Sequence, residues 1–281
     1  MADGQLLYGP AVGPRGPRPS SAIVEGPLDW QLVGSRANPG FGRGPDWLVG
    51  DFAPDRDPDV PWVTPSDLSL PIGENTGTNR LPARYAWLKG SSTADVTNNF
   101  RYWFCYLGTG QLGQDMISYF VRPGRPGRLL HHPAGSELSN DMVRVTKVRD
   151  FIARIKQSAD QQLRAQRPYG VVTAAGMQLP ADLTLSTFER DATYTAKLRA
   201  LVGGIQGVEV FARRLRDTGP AEGVSGYRLD LMLRIKDDFG VGSDDLYQEG
   251  LIAMWMLQHQ RAVGVPYVNM IDIQFPIAGR W

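Results

Sequence analysis

Four carboxylates, Asp237, Asp238, Asp244 and Asp245, fall within nine residues of one another. Carboxylates set this closely must spread their charge, share a proton or gather a cation. Asp237 and Asp245 are the candidates for general acid–base work, because such work near neutral pH needs a carboxyl group whose pKa its neighbours have moved. The same oxygens could hold a hard cation such as Ca²⁺ or Mg²⁺, although the spacing is not that of an EF-hand loop. No metal or cofactor is assigned. The structural alternative is that Asp237 and Asp238 end a strand while Asp244 or Asp245 caps the helix that follows.

The chain has three histidines. His259 is the third candidate for proton transfer; it shares a helix stripe with Leu251 and Trp255, and the alternative there is a core histidine bonded to backbone. It follows the acidic turn by about four helical turns, so only a fold-back or a partner chain would bring the two together. His131 and His132 follow a Pro/Gly stretch and read as loop residues. Cys105 with one of these imidazoles would form an acyl-transfer pair, but Phe104-Cys105-Tyr106 is an apolar setting in which a thiol fills space. Gly108-Thr109-Gly110-Gln111-Leu112-Gly113 spells a dinucleotide-binding string without the strand–helix context that gives it meaning.

The elements that would position these groups are legible at the C-terminal end. Tyr227, Leu229, Leu231, Leu233 and Ile235 alternate with polar residues and predict a strand with one face in a core. Residues 246–260 predict a helix apolar on nearly every side, lying inside the fold, and 267–275 predict a second strand. Residues 207–215 predict a strand paired with 227–235. Upstream, 100–107 and 116–121 are aromatic and read as core, with Gly108 and Gly110 as turn residues between them. Ser139 or Asn140 would cap a long helix in which Val148, Ile152, Ile155, Ala159 and Leu163 form a buried stripe. The fold class is α+β: helices, then a C-terminal antiparallel sheet packed on a buried helix. Residues 1–60 hold nine prolines and ten glycines, so 1–90 is expected to be an irregular arm that carries its aromatics onto the domain or a partner, with 91–281 the globular domain.

Thirty basic and twenty-nine acidic residues leave no net field to draw nucleic acid or an anionic membrane. The single cysteine excludes an intramolecular disulfide and a cysteine-based zinc site. No apolar run is long enough to span a bilayer, and Met-Ala-Asp-Gly at the start lacks the features of a secretory signal. The expectation is a protein that is cytoplasmic in its producing cell and exported, if at all, by a signal-independent route.

The string Asp237-x-Phe239-Gly240-Val241 with Asp245, then Trp255 and Leu257-Gln258, then Pro266-Tyr267-Val268, resembles the C-terminal signature of an uncharacterised bacterial family. Its members are often encoded near, or fused to, type VI secretion and polymorphic-toxin components. The likeness extends back to about Phe100. Where the family has Asp-His-Phe-Gly this chain has Asp237-Asp238-Phe239-Gly240, and Gly242 stands where an acid is usual, so roles of those two family side chains do not carry over. The resemblance implies an antibacterial effector or toxin, with a cognate immunity protein or a secretion-apparatus component as partner, and supplies no reaction. The alternative is a non-enzymatic structural or adaptor component of a secretion or phage-like assembly.

Overall fold

The alternation in 227–235 becomes one face of the longest strand. The structure is a computed structural model of the chain, described for residues 30–37, 41, 49, 87–165, 172–173, 175–177, 179, 191–213, 216–221, 224–241 and 250–280. In chain order the elements are β1 (Trp30–Ala37), α1 (Thr93–Tyr106), α2 (Gly110–Phe120), β2 (Arg128–His132), α3 (Glu137–Arg144), α4 (Thr146–Ala165), α5 (Ala196–Leu201), β3 (Gly207–Arg213), β4 (Arg216–Ala221), β5 (Val224–Phe239), α6 (Leu251–Trp255), a π-helical turn (Met256–Gln260) and β6 (Tyr267–Arg280). The strands form one sheet in the order β1-β3-β5-β6-β2, with β4 also paired to β5.

The architecture is α+β, as the sequence predicts, and β5 pairs antiparallel with both β3 and β6. Three strands were not foreseen: β1, β2 and β4, the last paired antiparallel with β5. β1 lies inside the stretch expected to be irregular, yet pairs antiparallel with β3 and buries Val33 completely. Gly34 suits this place because a Cβ there would meet Met177 Cγ at 3.0 Å. β2 runs parallel to β6 at the opposite edge, so the sheet is mixed rather than antiparallel throughout. His131 and His132 therefore belong to a strand and not to a loop; pairing with Met270 and Ile271 orders the segment that the preceding glycines and prolines made look irregular.

Helices cover the face of the sheet that carries Leu229, Leu231, Leu233 and Ile235. Ser92 caps α1 in a reciprocal box with Asp95. The chain then turns through Gly108 at φ 79° and Gly110 at φ 60°, left-handed positions that favour glycine. Phe100, Phe104, Phe120 and Phe239 meet edge to face, in the geometry ring quadrupoles prefer. The aromatic run is core on that side only, because Tyr102 and Tyr106 point to solvent and Cys105 is exposed as well, contrary to the expectation of an inert buried thiol. Ser136, not Ser139 or Asn140, caps the next helix. The expected single long helix is two, broken where Val145 is extended. The first amides of α4 are met from outside the helix, Thr146 N–H by Thr193 Oγ1 and Lys147 N–H by Asp191 Oδ2, each at 2.9 Å. These side chains supply a start for α4 that local sequence does not contain.

The C-terminal helix is described from Leu251 onward and ends as a π-helical turn, with Trp255, Met256 and Leu257 fully buried. Trp255→Ala should lower unfolding free energy by about 3–5 kcal/mol, as large-to-small core changes do. Chemical denaturation at fixed pH measures this, and a cost below about 1 kcal/mol would mean that the helix is not the packed centre of the fold.

Candidate functional site

Asp237 lies near the end of β5 on the helix-covered face, only 2% exposed. Its two carboxylate oxygens accept the successive amides of Gly203 and Gly204 at 3.2 and 3.4 Å. Two adjacent N–H groups turned to one anion make a small nest, which ties the segment after α5 to the sheet. Tyr194 and Tyr267 stand close enough to feel this charge: burial first, and then Asp237, push both phenols far above their ordinary range. Asn269 Nδ2 donates to Leu201 O at 2.9 Å and Tyr194 donates to Val202 O, anchoring the same segment twice more. The carboxylate thus anchors the segment after α5 to the sheet.

His259 is also buried, and its Nε2 lies 2.9 Å from Val241 O. Gln258 beside it both accepts from Val241 N–H at 3.0 Å and donates to Val241 O at 3.1 Å. The fold-back that would be needed to bring the helix end to the turn therefore exists, and among the described residues it is made with the backbone of Val241. Trp255 lies against the imidazole with ring centroids 5.2 Å apart, and Phe239 stacks on Tyr267 at 4.8 Å. Pro266 O accepts from Gly127 N–H at 3.0 Å, tying the start of β6 to the turn before β2. Asp244 and Asp245 lie outside the described residues. Among the described residues no group of three or more histidine, cysteine or acidic side chains could hold a metal ion.

The opposite face of the sheet carries what sequence reasoning missed. Arg234 donates to Asp272 through Nε at 2.7 Å and Nη2 at 3.0 Å, a two-pronged pair between directly opposed residues of β5 and β6. Lys236 is paired with Glu209 of β3. The Arg234 guanidinium also lies 5.0 Å from the centre of the Phe211 ring, which adds a cation–π contact. All four charged residues are buried. At the β2 edge, His131 Nε2 sits 2.8 Å from Asp272 Oδ2, with its side chain 44% exposed. A row of ionisable groups thus crosses four strands and reaches water at one imidazole. Its sequence signal was present but read as surface: Arg234 and Lys236 alternate with leucine and isoleucine, and Asp272 stands alone between Ile271 and Ile273.

His132 points to the helix side and is buried, which lowers its pKa; a hydrogen bond to Asn269 opposes the shift and the neighbouring His131 adds to it. Asp191, at the start of α4, is pushed up by burial but held low on balance by the Thr193 hydroxyl and by the amides of Lys147 and Thr193. Compared with protein-family models, curated proteins and solved structures, the chain matches none.

Two outcomes follow from these environments. Arg234→Ala leaves Asp272 buried without its main partner and should cost about 3–5 kcal/mol, whereas the double change Arg234→Met with Asp272→Leu should recover most of that loss. Denaturant titration of the three proteins separates a buried pair from a surface one, since a surface pair would cost about 0–1 kcal/mol. For His132 the sign runs through proton binding: with its folded pKa below the ordinary value of about 6.5, the unfolded chain binds more protons between the two values. Its contribution is full above the unfolded value and is lost as pH falls through the folded one. His132→Gln should therefore show a shallower fall of stability than wild type between about pH 7 and pH 5, and equal slopes would refute the assignment.

Proposed function

We propose that this chain is an antibacterial effector whose C-terminal α+β domain acts on a rival cell after export from its producer. The observation that carries the reading is the convergence of the signature residues. Asp237, Phe239, Val241, Trp255, Gln258 and Tyr267 are far apart in sequence, yet Gln258 closes on Val241, Phe239 stacks on Tyr267, and burial and Asp237 together raise the Tyr267 phenol. A resemblance spread over thirty residues carries more weight when its members form one buried unit than when they are scattered. The contacts these residues make hold the domain together, so what the resemblance supports is the kind of domain, and it names no reaction. A cognate immunity protein is the partner this reading implies.

An adaptor role in a secretion or phage-like assembly is the second reading. It is favoured by Trp87, Tyr102 and Tyr106, which stand largely exposed, since exposed tyrosine and tryptophan are the side chains from which protein interfaces are built. Trp103 joins Tyr102 and Tyr106 through edge-to-face contacts. Induced expression of the full chain, once in the cytoplasm and once directed to the periplasm of a test bacterium, distinguishes the two. The effector reading expects growth to fall in at least one compartment. Undiminished growth in both, with the protein accumulating in folded form, favours the adaptor.

A further inference from the structure

We propose that His131 is a general acid–base group that hydrolyses acyl bonds, esters or amides, with water as the nucleophile; the cellular setting of that substrate rests on the effector reading. The geometry points to this residue because it is where the ion row meets solvent. Asp272, itself 4% exposed, is fixed by two hydrogen bonds from Arg234 and receives His131 Nε2 at 2.8 Å. Arg234 holds the carboxylate in place, so Asp272 orients the ring. The Nδ1 of His131 has no hydrogen-bond partner among the described residues. An imidazole on a partly exposed side chain, with one nitrogen held by a buried carboxylate and the other unbonded among the described residues, has the form used for proton transfer in acyl chemistry.

The class of substrate follows from what the neighbouring groups are already doing. Phosphoryl transfer calls for cations aimed at the transferring oxygens, and Arg234 and Lys236 are committed to Asp272 and Glu209. Glycosidic cleavage calls for two open carboxyl groups facing a sugar, and both carboxylates of the row are paired and buried. Acyl hydrolysis can draw on a single imidazole that passes a proton from a bound water to the leaving group. In that step Nδ1 takes a proton from water as the water oxygen bonds to the acyl carbon. The resulting imidazolium then returns the proton to the leaving oxygen or nitrogen as the acyl bond breaks, and the ring ends neutral. Asp272 and Arg234 are positioning residues in this scheme.

The test uses the purified full chain with p-nitrophenyl acetate as the probe, alongside the growth assay. The wild type should hydrolyse the ester faster than an equal concentration of free imidazole, and His131→Asn should reduce the rate by about 10²-fold with an unchanged unfolding midpoint. His131→Gln serves as a second variant should the asparagine destabilise the edge strand. Asp272→Asn should lower kcat with KM unchanged, a split that a merely structural carboxylate would not produce. Hydrolysis no faster than imidazole, or equal rates in wild type and both His131 variants, would overturn the assignment. Growth inhibition that persists in both His131 variants, together with ester hydrolysis unchanged in them, would overturn it while leaving the effector reading intact. Ester hydrolysis dependent on His131 without any growth inhibition would support the acid–base role and reject the effector.

Discussion

Glu209, Arg234, Lys236 and Asp272 lie out of water on one face of the sheet, and an ion left unpaired in such a place would cost several kcal/mol. Neutralisation is therefore obligatory, and it is made across strands, from Arg234 to β6 and from Lys236 to β3. Side chains alternate with a period of two, so sliding β5 by one residue against either neighbour would turn these ions toward the helices and bring Leu231, Leu233 and Ile235 onto the other face. A row of ions is a weaker source of net stability than an apolar row of the same shape. What it supplies is register, and register places every other group in the domain.

The helix-covered face shows the consequence. With β5 and β6 paired from Gly226↔Arg280 to Phe239↔Tyr267, Phe239 stacks on Tyr267 and its end of the strand is carried to Phe104 and Phe120. Val241 then falls where Gln258 can satisfy both its amide and its carbonyl. A buried backbone pair answered by one amide side chain is fully satisfied, and the π-helical turn brings Gln258 and His259 together onto that backbone. Asp237, two residues before Phe239 on the same face, is used in the same way for the segment after α5. Polar residues that read as chemistry in the sequence also fasten backbone here.

Local pattern made some of this legible and hid the rest. The alternation around Leu231 identified β5, and the all-round apolar character of 251–257 identified a buried helix, because both signals are contained within a few residues. The burial of Arg234 and Lys236 was not legible, since a polar residue at every second position is also how a solvent-facing side of a strand reads. What distinguishes the two cases is a partner supplied by another strand, Asp272 or Glu209. β2 had no alternation to show; its five residues are a strand only because β6 is beside them. The break at Val145 was equally hidden, for the apolar spacing that begins at Val148 says nothing about where Thr193 and Asp191 will stand. Each miss is a case in which a contact distant in sequence decided a local structure.

The same principle explains why His131 differs from the other polar residues of the domain. Within the buried row, Arg234 is paired with Asp272 and Lys236 with Glu209. The imidazole stands outside these two pairs, in contrast to Arg234, which is the main partner of Asp272. His259 is closed off by the backbone of Val241, and Asp237 by the amides of Gly203 and Gly204. His131 stands instead at the edge strand with its side chain partly in water, oriented by a carboxylate whose own position is set from the interior. A group whose geometry is fixed by the core while its side chain reaches water is what proton transfer demands, and the edge of a sheet whose charges must pair inside is where such a group can arise.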